Sequence, residues 1–252
     1  MAENDFDNWA NWYDQIYSHK VEDKEDLEFY KELLEKRSDG KFLEMACGTG
    51  RLYLEFLEMG YDIHGLDISQ NMLNKLENKA DRLDQEPVLF QKDAADFEID
   101  HQYDIIYYPF SAFIHHSELE DQIGCMNSIY EHLKEDGIFA LDMPVFDFEI
   151  IANYGQITRE EHEQNGTNYM HEFWSKLTNQ TEQKHEMTQR QLNVDTGEIV
   201  FETTFELGII PKNQMELLLI QSGFEEYEFH HGFNHDEDIK PDSERLTLVA
   251  YK

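Results

Sequence analysis

Phe42-Leu43-Glu44-Met45-Ala46-Cys47-Gly48-Thr49-Gly50, followed by Gly65-Leu66-Asp67-Ile68-Ser69, decides how this chain is read. The first block is an apolar run that ends in a glycine turn, and the second is an apolar run that ends in an acid. Between them the spacing predicts a helix from Gly50 to about Met59, closed by Gly60 just past its C-terminus. Strand, glycine turn, helix, strand and acid together suit the adenosine end of a small cofactor. The turn is Gly-rich so that backbone can approach a ligand closely. The helix start offers free N–H groups to an anion, and an acid at the second strand tip accepts from ribose hydroxyls.

The detail of the turn discriminates between cofactors. A dinucleotide turn requires G-x-G-x-x-G, whose third glycine allows close helix–strand packing. Here Arg51, Leu52 and Tyr53 follow Gly48-Thr49-Gly50, so that glycine is missing. The E-x-A-C-G-T-G form resembles motif I of class I S-adenosylmethionine (SAM)-dependent methyltransferases, and G-L-D-I-S-x-x-M-L from Gly65 to Leu73 resembles their second motif. The resemblance covers roughly residues 40 to 145.

Further elements follow from periodicity. Asp26 to Lys36 reads as an amphipathic helix, then come strand one (Lys41 to Met45) and strand two (Asp62 to Leu66). Ser69 is expected to N-cap a helix with Met72, Leu73, Leu76 and Ala80 inward. Strand three is Pro87 to Gln91, strand four Tyr103 to Tyr107. A long helix is expected from Ser117, whose S-x-x-E spacing to Glu120 forms a capping box, and Asp136-Gly137 is expected to turn into strand five, Ile138 to Met143. Strict β-α alternation predicts an α/β, doubly wound, Rossmann-like parallel sheet with ligand at the strand C-terminal edge. Asp67, Asp93 and Phe110 all follow strand tips and converge there.

The pattern changes after Phe146, and residues 168 to 207 read as alternating apolar and polar with period two. Ile199, Phe201, Thr203, Phe205 and Leu207 share one face, and Asp195-Thr196-Gly197 is a hairpin signal. We expect an inserted antiparallel β subdomain of about three strands. Pro211 opens another helix, and Phe224 to Phe233 and Arg245 to Tyr251 are the last strands. In class I methyltransferases the last strand is antiparallel and completes a seven-stranded sheet. The expected divisions are residues 1–25, an N-terminal lid segment; 26–147, the SAM-binding core; 148–210, the insert roofing the site; and 211–252, completing the sheet.

The resemblance implies SAM as cofactor and assigns its contacts. The methionyl carboxylate falls to backbone N–H groups at Ala46, Cys47, Gly48 and Gly50, with Ala46 standing where the family's triplet begins with glycine. The ribose falls to Asp67. The adenine falls to Asp93 and Ala94, with Ile68 and Met72 against its faces; Asp96 is an alternative to Asp93. Glu44 can meet the methionyl ammonium through a water.

Methyl transfer is an in-line displacement at an already activated sulfonium carbon, so the protein supplies position and water exclusion. Aromatics stabilise the sulfonium charge, which nominates Tyr13, Tyr17 and Phe110. Trp9, Tyr13 and Tyr17 lie on one helical face, as in the F/W-x-x-x-Y-D-x-x-Y segment of small-molecule methyltransferases. His115 is the candidate catalytic base, since an ordinary imidazole takes a proton near neutral pH. The plainer reading of His115-His116 is a surface pair ahead of a helix. His230 and His231, adjacent on a strand, point to opposite faces, so no metal site is expected.

Composition bounds the partners. The 252 residues hold 54 Asp plus Glu against 20 Lys plus Arg, a formal net charge of −34. That field disfavours nucleic acid and anionic membrane surfaces and concentrates cations. Two cysteines, Cys47 in the turn and Cys125 in a predicted helix, and an acidic N-terminus without an apolar signal point to the reducing cytoplasm. The expected function is methyl transfer from SAM to a small-molecule acceptor, an amine or hydroxyl, with a homodimer left open. The rivals are a non-catalytic SAM- or nucleotide-binding sensor or scaffold, and a nicotinamide dehydrogenase, which the missing glycine opposes.

Overall fold

The computed structural model describes residues 5–17, 24–146, 152–164 and 166–252. Strands β1 (Lys41–Met45), β2 (Asp62–Asp67), β3 (Val88–Gln91), β4 (Tyr103–Tyr108) and β5 (Leu133–Pro144) lie parallel in the order 3-2-1-4-5. At the β5 edge, β11 (Arg245–Tyr251) runs antiparallel, with β10 (Glu226–His231) outside it. The seven-stranded sheet with one antiparallel strand is the expected fold class.

The central strands are apolar on both faces because both faces are covered. Phe42, Ile63, Ile105, Tyr107 and Ala140 turn to a core shared with α2 (Glu25–Glu35), α3 (Tyr53–Glu58) and α4 (Gln70–Arg82). Their neighbours Leu43, Met45, Ile106, Tyr108 and Leu141 turn to the opposite core, under α5 (Leu119–His132) and α6 (Lys212–Ser222). Ser69 caps α4 as expected, its Oγ accepting from the Met72 N–H at 3.2 Å.

Three local expectations change. α5 begins at Leu119 without a side-chain cap, because the Ser117 hydroxyl donates instead to Glu206 Oε1 at 2.7 Å across to the insert. Helix α3 is confined to Tyr53–Glu58, since the glycine turn extends through Leu52. β5 already starts at Leu133; Asp136, at φ 62°, makes a kink inside it where the register against β4 shifts.

The insert is a separate sheet of four antiparallel strands: β6 (Thr158–Gln164), β7 (Thr167–Asn179), β8 (Lys184–Asn193) and β9 (Ile199–Gly208). The expected three becomes four because β6 reads Thr-Arg-Glu-Glu-His-Glu-Gln, with no apolar alternation. The β8–β9 hairpin turns at Asp195-Thr196-Gly197, where Asn193 Oδ1 accepts from the N–H groups of Asp195 and Thr196, both at 3.0 Å. The expected 147/148 boundary lies outside the described residues, as do residues 1–4 and 18–23 of the expected N-terminal segment.

Helix α1 (Asp5–Tyr17) lies against both α4 and β9. Trp9 and Ile16 bury with Met72, Phe205 and Leu207 in a third apolar cluster. Asp14 fastens α1 to the core, accepting from Thr49 Oγ1 at 2.5 Å and from Lys79 Nζ at 2.9 Å.

Candidate active site

The strand order reverses between β1 and β4, and in an open α/β sheet such a reversal leaves a crevice at the strand C-terminal ends. A cavity of about 430 Å³ opens there, bounded by those ends, by α1 and by the inner face of β8 and β9. Its volume falls within the roughly 300–1,000 Å³ of small-molecule sites.

The glycine turn forms one wall. Ala46, Gly48 and Gly50 take φ of 49°, 53° and 88°, all in the left-handed region. At Gly48 a Cβ would meet only Ala46 O, at 3.9 Å. At Gly50 a Cβ would meet Leu76 Cγ at 2.8 Å and Leu54 Cγ at 3.0 Å, so this glycine serves the close packing of α3 and α4. The Gly48 N–H donates to Asp67 Oδ2 at 2.8 Å and the Ser69 N–H to Asp67 Oδ1 at 2.8 Å. Two backbone donors thus hold the buried Asp67 carboxylate at the cavity wall. The Cys47 and Gly50 N–H groups are engaged within the chain, to Leu66 O at 3.0 Å and Cys47 O at 2.9 Å.

Beyond Asp67 the wall continues through Ile68, Met72, Lys92, Asp93 and Ala94. Asp93 Oδ1 accepts from the Ala95 N–H at 2.9 Å, which fixes the loop after β3. Asp121 at the start of α5 joins this wall; burial, and then the charge of Asp93, raises its pKa.

At the other side three aromatic rings converge. Tyr13 and Tyr17 lie 5.0 Å apart, and Tyr17 meets Phe110 edge-on at 5.3 Å. Burial raises the pKa of both tyrosines, so they remain neutral. The Arg51 guanidinium lies 5.0 Å from the centre of the Phe110 ring and pairs with Asp26. Phe110 and Ser111 have φ of 60° and 57°, a conformation that costs a side-chain-bearing residue about 1–2 kcal/mol.

The roof brings Met187, Gln189, Phe205, Leu207 and His185 down onto the loop that carries His115 and His116. His115 is half-buried between Phe6 and Phe205, edge-on to both at 5.0 and 5.4 Å. Burial, and then the neighbouring His116 and His185, lower its pKa to about 4. His116 is likewise lowered to about 4 by burial, with Nε2 3.2 Å from the Tyr108 hydroxyl. The surface-pair reading therefore fails: His116 is buried against Tyr108 and Phe113, and Phe205 of the insert half-covers His115.

Of the residues singled out in the sequence, Tyr13, Tyr17, Ala46, Gly48, Asp67, Ile68, Met72, Asp93, Ala94, Phe110 and His115 are brought together around the cavity. Glu44, Cys47 and Gly50 are not on its wall. Glu44 is buried with its Oε2 accepting from the Tyr107 hydroxyl at 2.6 Å, and burial pushes its pKa up to about 8. Cys47 is buried beneath Gly65, and burial raises its thiol well above the ordinary range. The roof residues of β8 had no sequence signal. His185, Met187 and Gln189 stand opposite Leu207, Phe205 and Thr203, but their own strand is polar on both faces. Only the apolar alternation of β9 pointed toward them.

Comparison with known proteins agrees with this geometry. Residues 42–137 match the model of a methyltransferase domain. A putative methyltransferase of Bacillus subtilis (strain 168), YqeM, is 26% identical over 98% of this chain and 97% of its own length. A SAM-dependent methyltransferase from Clostridium acetobutylicum ATCC 824 shares the fold with a TM-score of 0.80 at 18% identity, covering 98% of this chain and 99% of that one. The SAM-bound amino pentose methyltransferase CalS10 from Micromonospora echinaspora gives 0.73 at 18% identity, covering 95% and 96%. Residues 42–137 thus carry a methyltransferase domain, in a chain that shares its fold with SAM-dependent methyltransferases over nearly its whole length.

Proposed function

We propose that the protein transfers the methyl group of SAM to a small-molecule acceptor, through an amine in preference to a hydroxyl. One observation carries the reading: a single cavity joins the Gly48–Asp67 corner to an apolar roof made by α1 and the insert. Asp67 takes the ribose hydroxyls, Asp93 and Ala94 the adenine edge, and Ile68 and Met72 its faces. The methionyl end lies toward Ala46 and Gly48 on the cavity wall, where the Cys47, Gly48 and Gly50 N–H groups are already used internally. Tyr13, Tyr17 and Phe110 surround the sulfonium.

The acceptor then lies under Phe6, Phe205, Leu207 and Met187, with His115 and Gln189 as its polar neighbours. This compartment suits an uncharged body. Among the described residues that line the cavity, Lys92 is the one Lys or Arg, and it stands on the adenine side at the end of β3. A glycine-like acceptor would bring a carboxylate into apolar surroundings without a cation, which is costly. An amino sugar or similar neutral-bodied amine avoids that cost. With the histidine neutral and the rings uncharged, the amine reacts as its free base, and catalysis consists mainly of positioning and water exclusion.

The test is methyl transfer from labelled SAM to a panel of amino sugars, simple amines, phenols, glycine and sarcosine. The reading expects turnover on a neutral-bodied amine and none on glycine. Turnover on glycine alone would contradict the acceptor assignment.

A further inference from the structure

The loop after β4 places Phe110 beside Tyr13 and Tyr17, yet two successive residues in it, Phe110 and Ser111, sit in the left-handed region. Such a conformation persists where the surroundings over-determine it. One side chain does so here. Asp142, near the end of β5 and fully buried, accepts from the Phe110 N–H at 2.6 Å, the Ser111 N–H at 3.0 Å and the Ser111 hydroxyl at 3.1 Å. The sheet register explains the position: Tyr108 pairs with Leu141, so the chain leaving β4 passes the next residue of β5. Successive N–H groups turned to one anion form a nest, and here the protein supplies the anion.

The carboxylate is itself fixed from two sides. The Tyr30 hydroxyl of α2 donates to Oδ1 at 3.0 Å. Arg245 of β11 pairs with Oδ2 and also donates to the Ser111 hydroxyl at 2.7 Å. Core helix, antiparallel strand and active-site loop thus meet at one buried group that is not itself on the cavity wall.

We propose that Asp142 is a positioning residue for methyl transfer: it holds Phe110 and Ser111 in their left-handed turn so that the Phe110 ring completes the aromatic enclosure of the sulfonium. This rests on the proposed placement of the cofactor. The ring attracts the positive sulfonium of SAM and has no such hold on the neutral thioether of S-adenosylhomocysteine (SAH). Loss of the turn therefore weakens SAM more than SAH, a difference that a merely structural role would not produce.

The experiment is calorimetric titration with SAM and with SAH of the wild type, Asp142→Asn, Phe110→Leu, the double variant, Ser111→Ala and Tyr30→Phe. An asparagine cannot accept from both N–H groups and Arg245 at once. Asp142→Asn should weaken SAM about tenfold relative to SAH, Phe110→Leu should do the same, and the double variant should lose no more than the larger single effect. Tyr30→Phe, which leaves the loop contacts in place, should lower the melting temperature without moving the SAM/SAH ratio. If Asp142→Asn does not fold, Ser111→Ala should shift that ratio in the same direction by about threefold. Parallel loss of SAM and SAH, an unchanged ratio, or multiplying effects in the double variant overturn the proposal alone. A wild type that binds neither ligand overturns the cofactor placement and this proposal with it.

Discussion

The backbone N–H of Gly48 donates to the carboxylate of Asp67 at 2.8 Å. The two stretches that resemble the family's first and second motifs are therefore joined at one point of contact, where the first and second strands end side by side. The acid is preorganised by Gly48 on one oxygen and Ser69 on the other, which fixes its orientation at the cavity wall. Hydrogen bonds to charged groups contribute about 1.5–3 kcal/mol each.

Asp67→Ala should accordingly weaken SAH binding by about 100-fold or more while leaving the far-ultraviolet circular dichroism unchanged. Asp67→Asn, which keeps the shape but lacks the charge, should lose about tenfold. Undiminished affinity in Asp67→Ala would show that the ribose sits elsewhere.

The two glycines of the turn should separate in urea titrations. Gly50→Ala forces a Cβ into Leu76 and Leu54 at a φ of 88°, and should cost about 2–4 kcal/mol. Gly48→Ala meets only an ordinary contact with Ala46 O at 3.9 Å, which leaves the backbone penalty, about 1 kcal/mol. Equal losses would mean that the helix packing around Gly50 is looser than described.

Stability should respond to pH in two opposite ways. The folded pKa of His115 is lowered from 6.5 to about 4, so the folded state binds fewer protons than the unfolded chain in that interval. Its stability is complete above pH 6.5 and falls as pH drops toward 4, with about 2 kcal/mol lost by pH 5. Glu44 is raised from 4.5 to about 8. Its contribution is complete below pH 4.5 and is lost as pH rises through 8, with a ceiling of about 5 kcal/mol. Melting temperatures across pH 4 to 9 should flatten on the acid side in His115→Gln and on the alkaline side in Glu44→Gln. The reverse pattern would refute both burial arguments.

Once an acceptor is in hand, the pH–rate profile should show no inflection near 6.5 from His115, which is neutral throughout the working range. His115→Gln should keep kcat within about tenfold, below the 10²–10⁴ expected of an essential base. An inflection near 6.5 that vanishes in His115→Gln would restore it as the catalytic base.

The Gly48–Asp67 corner was legible because each of its parts obeys a local rule. Ser69 caps a helix, Asp67 ends a strand, and Gly48 occupies a left-handed turn. The roof was expected of the insert, but its β8 residues were not legible, because β8 presents His185, Met187 and Gln189 inward by its register with β9, not by any apolar pattern of its own. The half-burial of His115 was hidden for the same reason: it comes from Phe6 and Phe205, each about 90 or more residues away in the chain. Ser117 shows the limit of short motifs. Its capping-box spacing is present, but a contact with Glu206 on the insert takes the hydroxyl.

The most direct test of the whole account is calorimetric titration of the wild type with SAH, with NAD in parallel. The account predicts saturable binding of SAH near one equivalent, greatly weakened in Asp67→Ala, and no heat from NAD. Binding of NAD, or of neither ligand, would contradict the assignment of the glycine turn and of the Gly48–Asp67 corner to SAM.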